Sequence, residues 1–451
     1  MIYATGIIAE YNPFHNGHLY QLRQATHLTG QPVVVAMSAS FMQRGEPACL
    51  SKWLRARLAV ENGAALVLEL PTAFSLRSAQ FFASGGVQLL SATGSVNTLS
   101  CGVESPELDF WALAQKITSN AAQGRIRALL SQGKSYAAAC AAVLSEAQQE
   151  ASAQGLSKPN DILALEYAKA LQSTDMKPLF IERRGNGYND REISGTMASA
   201  TAIRQALAAE RSTYYANSDT TPPSSERDTY YANGTTAANN ATTPNNSSSQ
   251  GSWQQAVPPS VGQALLASSP GYNDALLWQL VRYRLRLLSP DAIAEACQCS
   301  EGLENLLKQA AQASTFAEAL QLCTSKRYTT SRIRRLLMQL LLDVPRWQWE
   351  DNSPAYLRVL AFNDTGRQLL KQMKSTASLP ILTGLYRNWP QRLQHLGMRQ
   401  QQIYTQQLEL ELKATELWSL LQLDPALNRS GNDYLISPAY VQSSREHTPQ
   451  V

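Results

Sequence analysis

Two histidines three positions apart, His15 and His18, are the residues of this chain best placed to do chemistry. The chain has five histidines among 451 residues, and these two stand in the stretch Gly6-Ile7-Ile8-Ala9-Glu10-Tyr11-Asn12-Pro13-Phe14-His15-Asn16-Gly17-His18. An apolar run from Ile2 to Ile8 reads as a buried strand, Asn-Pro and Asn-Gly mark a turn, and an amphipathic segment from His18 to about Leu28 reads as a helix. A strand, a polar turn and a helix N-terminus make an anion site, because the first N–H groups of a helix lack intrahelical partners and its macrodipole is positive there. Two imidazoles reaching the same anion point to a nucleotide site with chemistry at a phosphorus atom. The plainer reading has one histidine capping the helix and the other packed.

These residues need a platform. Short apolar runs predict strands over Tyr3–Ile8, Pro32–Ala36, Ala65–Leu68, Asn97–Ser100 and Pro178–Glu182. Crossover helices, Lys52–Asn62 and Ala79–Leu90 among them, separate the first four. This order predicts an α/β fold, a parallel sheet with helices on both faces and the ligand at the carboxyl ends of the strands. Ala9, Met37, Glu69-Leu70 and Cys101-Gly102 fall on that edge. A helical insert is expected from about Leu108 to Gln172, with Asn160 or Asp161 capping its last helix. The first domain is read as residues 1–210. Residues 211–256, rich in Ser, Thr, Asn, Ala and Pro, read as a disordered insertion or linker. A mainly helical domain follows over 257–436, then a disordered tail over 437–451. In the helical part, Lys326, Arg327, Arg332, Arg334 and Arg335 cluster around Tyr328, with Ile333, Leu336, Leu337 and Leu340 spaced to face a core while the arginines point outward. Such a cluster is either a solvated face or a track for RNA phosphates, which Arg358, Arg367, Lys371 and Lys374 could extend.

Composition restricts little. With 44% hydrophobic residues the chain can build sizeable cores, and a formal charge of +4 leaves any nucleic-acid surface to local clustering. Six cysteines without CxxC spacing give no metal site and no disulfide framework. No signal peptide and no membrane-length apolar run are read, so a cytoplasmic protein is expected.

His15-Asn16-Gly17-His18 resembles the HxGH signature of the nucleotidylyltransferases, whose sheet is Rossmann-like. Ser199-Ala200-Thr201-Ala202-Ile203-Arg204 resembles their SSTxxR element, with Ala200 where a second serine is usual. Agreement over longer strings is more specific: Gly6 to Leu19, Phe41-Met42-Gln43-Arg44-Gly45-Glu46-Pro47-Ala48, Lys52-Trp53, Glu69-Leu70-Pro71 and Cys101-Gly102. It continues through Asn160 to Tyr167, Arg183 to Tyr188 and Lys326 to Arg335. From near residue 1 to roughly residue 400 the chain is similar to the tRNA(Met) cytidine acetate ligases. It departs from them at Ala39-Ser40-Phe41, where Gly-Asn-Phe is common, and at Ser51, where an acidic residue is common.

The resemblance implies an ATP-dependent ligase that makes acetyl-adenylate and transfers acetyl to N4 of the wobble cytidine of elongator tRNA(Met). It implies an ATP site of Ile7, Ile8, Ala9, Glu10, Tyr11, Asn12, Pro13, Phe14, His15, Asn16, Gly17, His18, Leu19, Tyr20, Gly102, Asn160, Arg183 and Arg184, with Ser199, Thr201 and Arg204 on the phosphates. His15 and His18 would be catalytic, and Lys326, Arg327, Arg332, Arg334 and Arg335 would bind tRNA. Acetate, ATP and the tRNA are the expected partners. Mg²⁺ can accompany ATP, no protein metal cage is expected, and a monomer is favoured. Two other readings stay open: an adenylyltransferase of cofactor biosynthesis and a non-catalytic RNA-binding factor.

Overall fold

A computed structural model of the chain describes residues 1–134, 136–145, 158–184, 193, 195–217, 253–268, 270–297, 299, 302–325, 327–344, 353–385 and 397–442. The five expected strands are β1 (Ala4–Ala9), β2 (Val33–Ser38), β3 (Leu66–Leu70), β4 (Val96–Val103) and β5 (Lys177–Glu182). They lie parallel in the order β5-β4-β1-β2-β3. Along β2, Val33, Val35 and Met37 enter one core while Val34 and Ala36 enter the other. Burial on both faces is what a sheet covered by crossover helices requires. Two of those helices are Lys52–Glu61, capped by Ser51, and Ala79–Ser91.

The sheet continues with chain from the C-terminal half. β6 (Leu357–Phe362) pairs antiparallel with β3, and β7 (Ile381–Leu382) and β8 (Ala439–Tyr440) pair with β6. Arg358 lies within β6 and is buried, paired with Glu69 and Asp433, so it is absent from the basic surface track expected for it. The strand β8 also corrects the reading of residues 437–442 as the start of a disordered tail, because β6 offers them a free edge to pair with. The helix Ala200–Asn217 likewise runs into the stretch expected to be linker. Trp253–Ala256 packs back as a short 3₁₀ turn, the Trp253 indole N–H donating to Glu210 Oε2 at 2.8 Å. The rest of 211–256 lies outside the described residues.

A buried ion network fastens the C-terminal half to the sheet. Lys52 Nζ lies 2.7 Å from Glu69 at the end of β3, 2.8 Å from Asp433 and 3.2 Å from Glu411 on the helix Met398–Leu420. The same helix places Trp418, whose indole N–H donates to the Ala48 carbonyl at 2.8 Å. Among the described residues no helix is long and apolar enough to cross a membrane.

Candidate nucleotide site

β1 ends at Ala9 and the chain turns at Tyr11, whose φ of 47° lies in the left-handed region. A non-glycine residue there costs of order 1–3 kcal/mol, and such residues cluster at functional sites. The turn delivers His15, in extended conformation, as the N-cap of the helix Asn16–Thr29. His15 Nδ1 accepts from the Gly17 N–H at 3.0 Å, and His18 Nδ1 accepts from the His15 N–H at 3.3 Å. The plainer capping reading is therefore right, and it also sets the chemistry. A neutral imidazole carries one N–H. With both Nδ1 atoms accepting, each ring holds its hydrogen on Nε2. The rings stack with centroids 3.7 Å apart, and both line one cleft. Gly17 makes the fold-over possible, since a Cβ there would sit 2.9 Å from His15 Cε1.

Burial, reinforced by the Arg183 and Arg204 charges, pushes His15 down to about 3. His18 falls well below its ordinary value for the same reason, with His15 and Arg183 adding to it. The site thus presents two neutral donors beside two cations.

The cleft encloses about 1090 Å³, its open mouth included, ample for a nucleotide. Of the expected residues, Ile8, Ala9, Glu10, Tyr11, Asn12, His15, His18, Gly102, Asn160, Arg183, Ser199, Thr201 and Arg204 line it. The others are set back. Ile7 and Phe14 are buried in the core beneath, with Leu19 and Tyr20 packed against it. Asn16 turns away, its Nδ2 donating to the carbonyls of Thr196 and Gln255 at 2.9 and 2.8 Å. Gly17 spends its N–H on His15, Arg184 stacks 5.1 Å over the Tyr20 ring, and Pro13 is also outside the lining.

Ser199 caps its helix, accepting from the Ala202 N–H at 3.0 Å. Arg204, one turn on, reaches back into the cleft: Nη1 donates to the Asn12 carbonyl at 2.6 Å and Nη2 lies 3.1 Å from Glu46. Asn160 and Asp161 do not cap theirs, because Lys158 occupies that position. Instead Asp161 accepts from the Glu104 N–H at 2.7 Å and Asn160 donates to the Glu104 carboxylate, fastening the helix to the loop after β4.

The sequence assigns no place in the site to Gln21, Met42, Gln43, Arg44, Glu46, Phe82, Leu163 and Tyr167, the last expected only on a buried helix face, yet all line the cleft. The segment Phe41 to Ala48 carried a signal, since it matches the family. Phe82, Leu163 and Tyr167 carried none that separates a ligand wall from a core. Arg55 also escaped notice: it is buried, with Nη1 donating to the Glu10 and Ser38 carbonyls at 2.6 and 3.0 Å, and so ties the ends of β1 and β2 together.

The basic cluster divides. On the helix Thr330–Leu341, Ile333, Leu336, Leu337 and Leu340 are buried as their spacing predicts. Arg334 and Arg335, expected to point outward, turn onto the loop after β2: Arg334 pairs with Glu46, and Arg335 Nη1 donates to the Gln43 carbonyl at 3.1 Å. The loop presents a carboxylate and a bare carbonyl, which draw the guanidinium groups inward. Arg327 and Arg332 are exposed, their guanidinium carbons 5.8 and 4.9 Å from the Tyr328 ring centroid. Lys326 lies outside the described residues. Among the described residues, no group of three or more His, Cys, Asp or Glu could hold a metal ion.

A parallel sheet with an imidazole pair at its first β–α turn, and an arginine brought into the same cleft by a second helix, defines a nucleotidyl transferase. The family model for HIGH Nucleotidyl Transferase matches residues 2–433. The tRNA(Met) cytidine acetate ligase of Acetivibrio thermocellus is 32% identical over 444 residues, covering 95% of this chain and 97% of that one. Crystal structures of Thermotoga maritima TmcAL, apo and bound with alpha-thio ATP, are similar to it with TM-scores of 0.83 and 0.80. Each is 27% identical and covers 98% of this chain and 100% of its own. This chain belongs to the tRNA(Met) cytidine acetate ligase family.

Proposed function

We propose that this protein joins acetate to the α-phosphate of ATP and passes the acetyl group to N4 of the wobble cytidine of elongator tRNA(Met), in the cytoplasm. One observation carries the chemistry: both Nδ1 atoms of the stacked histidines are engaged by backbone N–H groups, so two Nε2–H donors share a cleft with Arg183 and Arg204. An acetate oxygen attacks the α-phosphorus as the bond to diphosphate breaks. Negative charge grows on the non-bridging and leaving oxygens. Donors already in place stabilise that charge without reorganising, and this is the main source of catalysis at phosphorus. His15 and His18 serve the α-phosphate; Arg204 and Arg183 serve the tail. Ser199 and Thr201 line the same wall.

In the second step the cytidine N4 attacks the acetyl carbonyl, the bond to AMP breaks and N4 loses a proton. No covalent enzyme intermediate is needed; holding the two reactants together and excluding water from the anhydride are sufficient tasks for the cleft. Mg²⁺ would be held chiefly by the phosphate oxygens, as this ion often is. The exposed Arg327 and Arg332 beside Tyr328 suit RNA phosphates and an unstacked base. Family membership across nearly the whole chain disfavours a compact cofactor adenylyltransferase, and the intact donor set disfavours a non-catalytic binding factor. The test is AMP release from ATP. It should require both acetate and tRNA(Met) and yield N4-acetylcytidine; ATP turnover indifferent to both would overturn the proposal.

A further inference from the structure

Glu46 is a carboxylate in the wall of a cleft that must accept a triphosphate, and its own charge would repel that ligand. Two arginines hold it from different parts of the chain. Arg204 Nη2 lies 3.1 Å from Oε2, and Arg334, from the helix Thr330–Leu341, bonds Oε1. The three side chains are only 22–28% exposed, so solvent screens their charges incompletely. The contact between loop and helix is built for close approach. Gly45, at φ 81°, has no room for a side chain: a Cβ there would sit 2.6 Å from the Arg335 backbone nitrogen and 2.7 Å from the Arg334 carbonyl carbon. Arg335 adds its bond to the Gln43 carbonyl at 3.1 Å, while the Gln43 N–H donates to Glu10 at 2.6 Å on the cleft side. The helix is thereby tied to the cleft wall through several bonds.

The charges imply a division of labour. Glu46 carries one negative charge against the two positive charges of Arg204 and Arg334. While Arg334 neutralises Glu46, Arg204 can turn its fork to an incoming phosphate. Without Arg334, Arg204 is left as the partner of Glu46 and is withheld from the ligand. We infer that Arg334 is a positioning residue of the nucleotide site: by holding Glu46 it frees Arg204 for the phosphate tail of ATP, and it does not grip tRNA. This rests on the acetyl-adenylate reading above.

The experiment measures acetate-dependent exchange of diphosphate into ATP by the full chain without tRNA, and tRNA(Met) binding without ATP. For Arg334→Gln the KM for ATP should rise about tenfold, as loss of a charge-assisted contact predicts, with kcat changed less than about twofold. Its affinity for tRNA should match the wild type. Arg334→Lys, which keeps the charge and loses the fork, should raise KM by about two- to threefold. Adding Glu46→Gln to Arg334→Gln should recover most of the lost affinity for ATP, because Arg204 then has no carboxylate to serve. Arg332→Gln should do the reverse of Arg334→Gln, weakening tRNA binding and sparing KM. An unchanged KM in Arg334→Gln, a loss confined to tRNA binding, or no recovery in the double variant overturns the inference. Should Arg334→Gln fail to fold, an unchanged KM in Arg334→Lys together with weakened tRNA binding overturns it equally. Wild-type protein that shows no acetate-dependent exchange overturns the underlying reading instead.

Discussion

His15 uses its two nitrogens for two tasks, and side-chain chemistry can separate them. In His15→Asn the amide oxygen replaces Nδ1 as acceptor for the Gly17 N–H, now bonded at 3.0 Å, and asparagine is among the best N-caps. What disappears is the Nε2–H donor. Losing one preorganised donor of this kind costs about 2.7–4 kcal/mol of transition-state stabilisation, or about 10²–10³ in rate. His15→Gln makes the opposite exchange. Its longer amide can place an N–H where Nε2 was, but it gives up the cap acceptor, a loss of about 1 kcal/mol in stability. Both variants lose the stack on His18, so that effect largely cancels between them. Single-turnover formation of acetyl-adenylate, with urea denaturation alongside, reads both quantities. We expect His15→Asn to lose about 0.5–1.5 kcal/mol of stability with the stack, the cap being kept, and to react at least about a hundredfold more slowly, kcat falling more than KM rises. His15→Gln should be less stable and faster than His15→Asn. A His15→Asn variant that keeps more than about a tenth of the wild-type rate, or a glutamine variant slower than it, refutes the donor role of Nε2.

The depressed histidines make a second prediction, for pH dependence. Their folded-state values lie below the unfolded value, His15 near about 3 from burial and the Arg183 charge. Both rings are then neutral in the free enzyme at ordinary pH, and kcat/KM for ATP should show no step near the usual histidine value of about 6.5. By linkage, the stability they contribute is fully present above that unfolded value and declines as pH falls from it towards about 3; a step in kcat/KM at 6–7 that disappears in His15→Asn would contradict the assignment. A third prediction concerns Lys52→Met, which leaves Glu69, Glu411 and Asp433 facing Arg358 with Lys52 gone. Breaking a buried pair in this way costs about 3–5 kcal/mol. Burial already raises the Glu69 carboxyl to about 7, so the folded protein holds that proton longer than the unfolded chain does. Removing the cation raises it further, and the variant should regain stability as pH falls from about 8 to about 5.5. Urea midpoints at the two values check this, and a loss below about 1 kcal/mol, or one larger at the lower pH, speaks against it.

What the sequence discloses follows from which physical signals are local. The strand Ala4–Ala9, its turn and the helix Asn16–Thr29 are legible because apolar run, turn residues and amphipathic period occur in one continuous stretch. β6 is not, since Arg358 interrupts its apolar run and only a partner far away in sequence, Glu69, makes its burial tolerable. The basic helix shows the same limit. Its period reveals that Ile333 and Leu337 are inside, but its polar face reads alike whether it meets water, a phosphate or Glu46. Asn160 lines the cleft where the resemblance implies a site residue, while the capping alternative falls to Lys158, because the partner of Asn160, Glu104, lies across the fold.

The loop from Phe41 to Ala48 joins these observations. On one side it carries Met42, Gln43, Arg44 and Glu46 into the nucleotide cleft. On the other it is held by the C-terminal half, through Trp418 on the Ala48 carbonyl, Arg335 on the Gln43 carbonyl and Arg334 on Glu46. The Gly271 N–H donates to the neighbouring Cys49 carbonyl at 3.1 Å. A wall gripped in this way belongs to both halves of the chain, so the helical half cannot be an appendage to a finished active site. An acyl-adenylate hydrolyses when water reaches it, and its acceptor must arrive in a fixed pose. Bracing the cleft wall and presenting the exposed basic face from one helix, with Arg334 inward on Glu46 and Arg332 outward, fixes the distance between the activated donor and the surface that would bring its acceptor.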